Sequence, residues 1–261
     1  MRILVANDDG IEAAGLKSLA RGIAGGGYEV VIVAPAAESS GSGASLGIVR
    51  DETIVGFTAC ELDQLPGVEA YAVDAPPALG VRAAGLGVFG PRPDLVVSGI
   101  NPGYNSGRLV LHSGTVGAVL TAASVDVCGV AFSTGAGSAV GLDTAARVAE
   151  CVVSAVIDIG LPPVAINVNV PALPVTEIAG IAFGRPGATG ADDVGFQLRQ
   201  SSLRLRRRFN PAPYERGSDT DLLSRGLVAV SVLGLPWEVP DVTEQLAAAV
   251  ESRWSLPRRV R

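Results

Sequence analysis

The N-terminal segment MRILVANDDGIEAAG begins as a buried strand and ends in two adjacent carboxylates. Residues 2–6 are β-branched or apolar apart from the first, a pattern typical of a strand buried on both faces of a parallel sheet. Apolar residues then recur at helical spacing from 16 to 23, so Asp8 and Asp9 lie on a strand-to-helix loop. Neighbouring carboxylates repel each other and are costly to desolvate, which favours a bound cation. Capping of the helix by one acid is the alternative.

Strand-like and helical segments alternate along the first two thirds of the chain, which is typical of a parallel sheet wrapped by helices. Further strands are predicted at 28–34, 69–74, 94–101, 127–133 and 164–170. Helices are predicted from 16 to about 25, at 77–86, after 117, and at 144–156. The sequence therefore predicts an α/β fold, in which residues 1–171 form a doubly wound, mostly parallel, Rossmann-like core that binds its ligands at the carboxyl edge of the sheet.

The organisation changes after Pro171, where crossover helices are no longer predicted. Three strand-like segments are separated by turns rich in Gly and Pro, at 177–183, 202–209 and 227–233. Residues 172–261 are therefore predicted to form a β-hairpin extension and a terminal helix at 242–252, packed on the same domain and used for subunit contacts. The basic run at 203–208 is interpreted as a solvated or interfacial strand face in preference to a phosphate site.

Composition excludes several classes of protein. The 261 residues are 48% hydrophobic and 18% charged, which favours a folded chain with a large core. A net charge of -6 argues against binding to polymeric nucleic acid. The cysteines, Cys60, Cys128 and Cys151, lack paired spacing and are predicted to be buried free thiols. With no apparent leader before the first strand and no apolar run of membrane length, we expect a cytoplasmic protein without a membrane partner.

Two more polar segments follow predicted strands. The loop at 36–47, AAESSGSGASLG, is rich in small residues, and a flexible surface loop is its alternative interpretation. Ser113, Gly114 and Thr115 precede a helix of small residues. Hydroxyls and free N–H groups at the positive end of a helix are suited to holding a phosphate, although an ordinary Ser/Thr cap explains the same residues.

Several of these motifs together resemble one family. Five segments match in family order: 7–11 (NDDGI), 34–35 (AP) with 40–41 (SG) following, 94–101 (DLVVSGIN), 113–118 (SGTVGA) and 167–171 (NVNVP). A weaker similarity occurs at 217–219 (GSD). The chain resembles the SurE family of stationary-phase survival proteins, which are metal-dependent nucleoside monophosphate phosphatases.

The resemblance implies a metal site. Its ligands would be Asp8, Asp9, Ser40 and Asn101, and they would hold one divalent ion. All four side chains offer oxygen, which suits Mg²⁺ or Mn²⁺ better than zinc. Ser39 and Ser42 are the alternatives to Ser40.

The resemblance also implies hydrolysis of a nucleoside monophosphate to nucleoside and phosphate, by a homodimer or homotetramer. The residues implied in catalysis are Asp8, Asp9, Asn101, Ser113 and Thr115. Those implied in phosphate binding are Asn105, His112, Ser113, Gly114 and Thr115. We hypothesise that Ser113, Gly114 and Thr115 stabilise charge on the phosphoryl oxygens during metal-assisted attack by water. His112, at a position where the family usually has Tyr, is interpreted as a ring that lines the pocket in preference to a general acid.

This sequence departs from the family at two places. Residues 75–80 read APPALG where the family usually has a Gly-Thr-Pro motif and a polar pair, and Pro102 replaces a residue that is often His. Both changes leave the implied ligands intact but alter the wall beside them. The alternative is therefore a metal- and phosphate-binding module with little or no catalysis. A dinucleotide-dependent oxidoreductase is disfavoured, because the first turn lacks the glycine-rich fingerprint.

Overall fold

The computed structural model describes residues 1–235. Within that range a nine-stranded sheet forms the centre of the molecule, and its six middle strands are parallel. In spatial order these are β4 (Glu69–Val73), β2 (Glu29–Pro35), β1 (Arg2–Ala6), β5 (Leu95–Pro102), β6 (Cys128–Thr134) and β7 (Ala165–Val170). At one edge β3 (Phe57–Cys60) runs antiparallel to β4. At the other edge β11 (Leu227–Leu233) runs antiparallel to β7 and parallel to the last strand, β8 (Gly180–Phe183).

Helices cover both faces of this sheet. The described helices are α1 (Ala14–Gly25), α2 (Pro77–Gly85), α3 (Gly114–Ser124), α4 (Ala139–Ile159) and α5 (Asp219–Ser224). Successive residues of a strand point to opposite faces, so Ile3 and Val5 pack with α1 and α4, whereas Leu4 packs with α2 and α3. A strand with two buried faces has to be apolar throughout, which explains the first residues of the sequence. The predicted doubly wound α/β fold is confirmed.

The strand order places a topological switch point beside β1. The chain passes from β1 to β2 and β4 on one side, and then returns to β5 on the other side of β1. Crossovers that leave in opposite directions open a crevice at the carboxyl ends of the two strands where they part, here β1 and β5. Asp8 and Asp9 follow the first of these strands, and Asn101 is the penultimate residue of the second.

The C-terminal third differs in detail from the prediction. The hairpin extension is confirmed and consists of β9 (Asp192–Arg199) and β10 (Ser202–Phe209). The segments predicted at 177–183 and 227–233 lie in the main sheet as β8 and β11, not in projecting hairpins. Neither β9 nor α5 was predicted, although apolar and polar residues alternate along β9. The helix predicted at 242–252 lies outside the described residues.

The cysteines are free, as predicted, but the prediction that they are buried is correct only for Cys128. Cys60 is half-buried, and Cys151 is exposed on α4. Buried positions of α4 include Val148, Ala149 and Val153, so Cys151 lies on the outward face of an amphipathic helix. No helix within residues 1–235 has both the length and the apolar character needed to cross a membrane.

Helix α1 lies directly against the end of β5 because it contains a glycine at the contact. A Cβ added to Gly15 would lie 2.0 Å from the carbonyl oxygen of Ile100, whereas one added to Gly25 meets nothing within 4 Å. We expect Gly15→Ala to lower the free energy of unfolding by about 1–3 kcal/mol or more. Gly25→Ala, the control in the same helix, should leave it unchanged or raise it by up to about 1 kcal/mol. Urea denaturation measures both, and equal midpoints for the two variants would contradict the contact.

Candidate active site

The loop after β1 holds its two carboxylates in a fixed turn. The side-chain amide of Asn7 donates to the Gly10 carbonyl at 2.9 Å, and Gly10 has a φ of 101°, which other residues rarely adopt. The N–H of Ile11 then donates to the Pro35 carbonyl at 2.9 Å, which ties the loop to the end of β2. Asp8 is only 3% exposed. The loop therefore presents its acids from a rigid frame.

Asp8 contacts the N-terminus of α3. The hydroxyl of Thr115, itself fully buried, donates to Asp8 Oδ1 at 2.5 Å. A Cβ on Gly114 would lie 2.6 Å from the Cβ of Asp8, so only glycine permits this approach. Burial raises the pKa of Asp8, while the Thr115 hydroxyl and the N–H groups of Gly114 and Thr115 oppose that rise. The start of α3, predicted to hold a phosphate, thus also orients a carboxylate.

Asp9 carries negative charge that the described residues do not compensate. Burial, and after it the nearby carboxylates of Asp8 and Glu38, raise the pKa of Asp9 to about 7. Its Oδ2 is buried and has no hydrogen-bond partner. An unpartnered carboxylate oxygen beside two further acids fits a hard divalent cation. Within residues 1–235 no cluster of three or more His, Cys, Asp or Glu has metal-binding geometry, so neutral oxygen donors would have to complete such a site.

The loop at 36–47, here called the serine loop, brings Ser42, not Ser40, next to Asp8. Ser40 is exposed, and its hydroxyl donates to Glu38 Oε1 at 2.9 Å. The hydroxyl of Ser42 is buried and unpartnered, and it lies 2.7 Å from the position that a Cβ on Gly114 would take. The side chain of Asp8 bounds the same position. Ser40 stays a prediction as a ligand, and Ser42 is the hydroxyl that the folded loop places at the carboxylates.

Asn101 lies half-buried at the end of β5. Its amide nitrogen donates to the Gly103 carbonyl at 2.6 Å. A side-chain amide whose nitrogen is fixed in this way keeps its oxygen free to accept or to coordinate. Asn101 is therefore available as a neutral oxygen donor on the strand next to β1.

The residues before α3 divide into a buried cap and an exposed ring. Ser113 is the N-cap, and its hydroxyl accepts from the N–H of Val116 at 3.1 Å, so the ordinary capping interpretation is correct for this side chain. Its role in phosphate binding remains a prediction. His112 is exposed and lines a cleft of about 290 Å³ between the 3₁₀ turn Gly107–His112 and residues 188–193. A ring that lines a pocket remains our interpretation of His112.

The chain is similar to known proteins of one family in both sequence and fold. The sequence model described as "Survival protein SurE" matches residues 3–192, and thus most of the chain. The chain belongs to the SurE family. It is 43% identical to "5'-nucleotidase SurE 1" of Thermus thermophilus, over 96% of this chain and 98% of the relative. It is 33% identical to "5'-nucleotidase SurE" of Thermosynechococcus vestitus, over 94% and 97%. The crystal structure of the SurE protein from Aquifex aeolicus is similar, with a TM-score of 0.80 and 27% identity over 96% of this chain and all of that one.

A network of buried amides supports the site in this SurE chain. The carbonyl of Asn105 accepts from the side chains of Asn167 at 2.8 Å and Asn169 at 3.0 Å. The side chain of Asn105 donates to the hydroxyl of Ser133 at 2.8 Å. The sequence predicts a strand at 164–170 and the segment 167–171 carries part of the family resemblance, but neither assigned a role to its asparagines. Its two asparagines fix the loop that follows Asn101, because they satisfy the polar groups of that loop.

A buried carboxylate holds the same loop from the other side. Asp219 is fully buried and accepts from the N–H groups of Gly107 at 2.8 Å, Gly187 at 3.0 Å and Thr220 at 2.8 Å. Beside it the backbone of Gly107 crosses that of Gly190, so closely that a Cβ on Gly107 would lie 2.3 Å from the Gly190 nitrogen. The only sequence signal for this crossing was the weak similarity at 217–219.

Proposed function

We propose that this chain is a metal-dependent phosphomonoesterase, a 5'-nucleotidase that hydrolyses nucleoside monophosphates to nucleoside and phosphate. The observation that carries the proposal is the pair Asp8 and Asp9 at the switch point, with Asp9 Oδ2 buried and unpartnered. The relatives named 5'-nucleotidase SurE support the reaction and the substrate class. The cleft beside His112 offers room for the nucleoside.

Asp8, Asp9 and Asn101 would hold one Mg²⁺ or Mn²⁺, together with a hydroxyl from the serine loop. Ser40 is the residue implied by the family, and Ser42 is the one that lies beside Asp8. A donor set made only of oxygen fits these ions. When bound, such an ion acts as a Lewis acid on the phosphoryl group and makes water a better nucleophile.

The remaining residues would bind and orient the phosphate. The positive end of α3 would stabilise charge on the phosphoryl oxygens, and its N–H groups from Gly114 and Thr115 also face Asp8. The Thr115 hydroxyl is occupied by Asp8, so it acts by orienting that carboxylate. Ser113 fixes the first turn as its cap. Asn105 would orient the phosphate, and its side-chain nitrogen also donates to Ser133.

The test is phosphate release from AMP and other nucleoside monophosphates by the purified protein, with Mg²⁺, with Mn²⁺ and with EDTA. We expect turnover with a divalent ion and none with EDTA. Thermal denaturation under the same conditions distinguishes the alternative. A rise in Tm with Mn²⁺ but no phosphate release would indicate a binding module without catalysis, and the absence of both effects would reject the metal site.

Thr115→Val should weaken activity through Asp8. Outer-shell groups that orient a metal ligand typically contribute 10- to 100-fold. We therefore expect Thr115→Val to lower kcat/KM, or the apparent affinity for Mn²⁺, by about 10- to 100-fold, and Thr115→Ser to retain most of both. Steady-state kinetics over a range of Mn²⁺ concentrations measures the effect. Equal kinetics for the Val and Ser variants would show that the hydroxyl is dispensable.

We further propose that the chain forms a homodimer or homotetramer through the β9–β10 hairpin. One face of the hairpin exposes a continuous set of apolar side chains: Val194, Phe196, Leu198, Leu203, Leu205 and Phe209. A patch of this kind marks an interface, and a second copy of the chain is the occupant implied by the family resemblance. Light scattering measures the mass, and a monomer at micromolar concentration would contradict the proposal.

The free thiols support a reducing, cytoplasmic location.

A further inference from the structure

The two faces of the β9–β10 hairpin differ in chemistry, and Arg207 is an exception on one of them. Residues paired across an antiparallel hairpin share a face. Arg207 pairs with Val194 and therefore lies on the apolar face, whereas Arg206 pairs with Gly195 on the opposite, basic face. A single arginine among apolar side chains, at the base of a hairpin, needs a reason to be there.

Arg207 is held in place by two neighbours. Its guanidinium forms an ion pair with Asp192, whose side chain is only 10% exposed. The same group lies over the ring of Phe209, 5.6 Å from its centroid. The Arg207 side chain nevertheless remains 44% exposed. A planar guanidinium fixed on one side and open on the other is preorganised for an anion.

The ion pair holds Arg207 against the proposed active site, because the Nη2 atom bound to Asp192 is also the atom that approaches Gly103. A Cβ added to Gly103 would lie 3.3 Å from Arg207 Nη2 and 3.5 Å from Asn101 Nδ2. The guanidinium and the amide of Asn101 therefore flank the same small space above Gly103. Asn101 is the proposed metal ligand at the start of this loop, and Asn105 is the residue of the loop that is proposed to bind the phosphate. Gly103 lies between them in the sequence, so Arg207 approaches the loop between these two residues.

The loops that carry the proposed metal and phosphate ligands hold little positive charge. The segments 7–10, 36–47, 101–107 and 112–115 contain neither Lys nor Arg, although they contain Asp8, Asp9 and Glu38. Arg108 lies beyond them, in the cleft beside His112. A phosphomonoester dianion brought to these carboxylates is repelled, and one divalent ion would be largely neutralised by Asp8 and Asp9. A cation from another part of the chain would restore the balance.

We propose that Arg207 is a substrate-binding residue whose guanidinium donates hydrogen bonds to the phosphate of the substrate, so that the hairpin forms part of the active site. This inference rests on the proposed function, because it identifies a further binding group for the same phosphate. Asp192 is the positioning residue that holds the guanidinium over Gly103.

The test compares Arg207→Gln with Arg206→Gln, which removes the same charge from the opposite face of the same strand. Arg207→Gln should lower kcat/KM for AMP by about 10- to 100-fold, mostly through KM, since it loses a charge-assisted hydrogen bond. Inhibition by inorganic phosphate should weaken by a similar factor. Arg207→Lys should recover part of both effects, because it keeps the charge and loses the planar geometry. Arg206→Gln should resemble the wild type.

Two results would overturn the inference. One is a KM for AMP and an inhibition by phosphate that are the same in Arg207→Gln as in Arg206→Gln. The other is a loss in Arg207→Gln that Arg207→Lys does not recover at all and that is accompanied by an equal loss in Tm for both variants, since that would assign the ion pair with Asp192 a purely structural role. Calorimetric titration of inorganic phosphate into the Mn²⁺-loaded protein separates this inference from the proposed function. If the wild type fails to hydrolyse AMP, the proposed function fails, and weaker phosphate binding by Arg207→Gln than by Arg206→Gln still supports the arginine.

Discussion

Asp9→Asn should abolish metal-dependent phosphate release and make the metal-free protein more stable. Groups that only orient a metal ligand contribute 10- to 100-fold, so removing a ligand should lower kcat by at least about 100-fold. The same substitution removes the charge that Asp8 and Glu38 repel and that burial penalises. At pH 8 with EDTA we expect a higher Tm for Asp9→Asn than for the wild type. Mn²⁺ should raise the Tm of the wild type and leave that of the variant unchanged.

The pH dependence follows from the raised pKa of Asp9. Its ordinary value is 3.8, and its value in the folded protein without metal is about 7. Between these values the folded chain holds a proton that the unfolded chain has lost, so the free energy of unfolding falls as the pH rises from about 4 to 7. The advantage of Asp9→Asn should therefore be largest at pH 8 and small at pH 4.

Two further variants make the result for Asp9 specific. Asp8→Asn should lose turnover equally. Asp158→Asn removes an exposed carboxylate near the end of α4 and should change neither turnover nor the response to Mn²⁺. Metal-dependent turnover that survives in both Asp8→Asn and Asp9→Asn would reject the assignment of these residues.

Asp219→Ala should cause the largest loss of stability. It leaves the buried N–H groups of Gly107 and Gly187 without an acceptor, and each such group costs about 1–3 kcal/mol. We expect the free energy of unfolding to fall by about 2–5 kcal/mol, and phosphate release to fall with it, because Gly107 begins the turn that leads to Ser113. Asp219→Asn keeps one acceptor oxygen and should be intermediate.

Urea denaturation followed by circular dichroism measures this loss. Asp193→Ala is the matched control, since Asp193 is exposed and its carboxylate bonds only to the next N–H of the chain among the described contacts. A midpoint for Asp219→Ala equal to that of Asp193→Ala would show that the hydrogen bonds to Asp219 contribute nothing net.

The sequence predicted those features that depend on local pattern. Buried parallel strands are apolar on both faces, so the strands and their alternation with helices could be predicted directly from the sequence. Adjacent carboxylates at the end of the first strand were recognisable as a candidate ligand site, because a bound cation would give them a physical purpose. That the loops at 7–10 and 101–107 lie close together then follows from the rule that the carboxyl ends of parallel strands share one edge of the sheet.

Features that depend on long-range packing could not be predicted. Ser40 and Ser42 have the same chemistry, and only the folded loop decides which hydroxyl faces Asp8. Thr115 was assigned to phosphate, but its hydroxyl is bound to Asp8, a residue 107 positions away. Arg207 was grouped with a solvated basic run, because nothing local indicates that the base of the hairpin meets the loop at Gly103. The hydrophobic periodicity of the sequence gives no indication of the crossing of Gly107 and Gly190 either.

That crossing sets the time at which a newly made chain can become active. Gly107 and its acceptor Asp219 are separated by 112 positions, and β11, which follows Asp219, fits between β7 and β8. A nascent polypeptide can therefore assemble the central strands on the ribosome while the turn before Ser113 still lacks its anchor. Phosphate binding should therefore appear only after β11 has emerged from the exit tunnel and has paired with both β7 and β8.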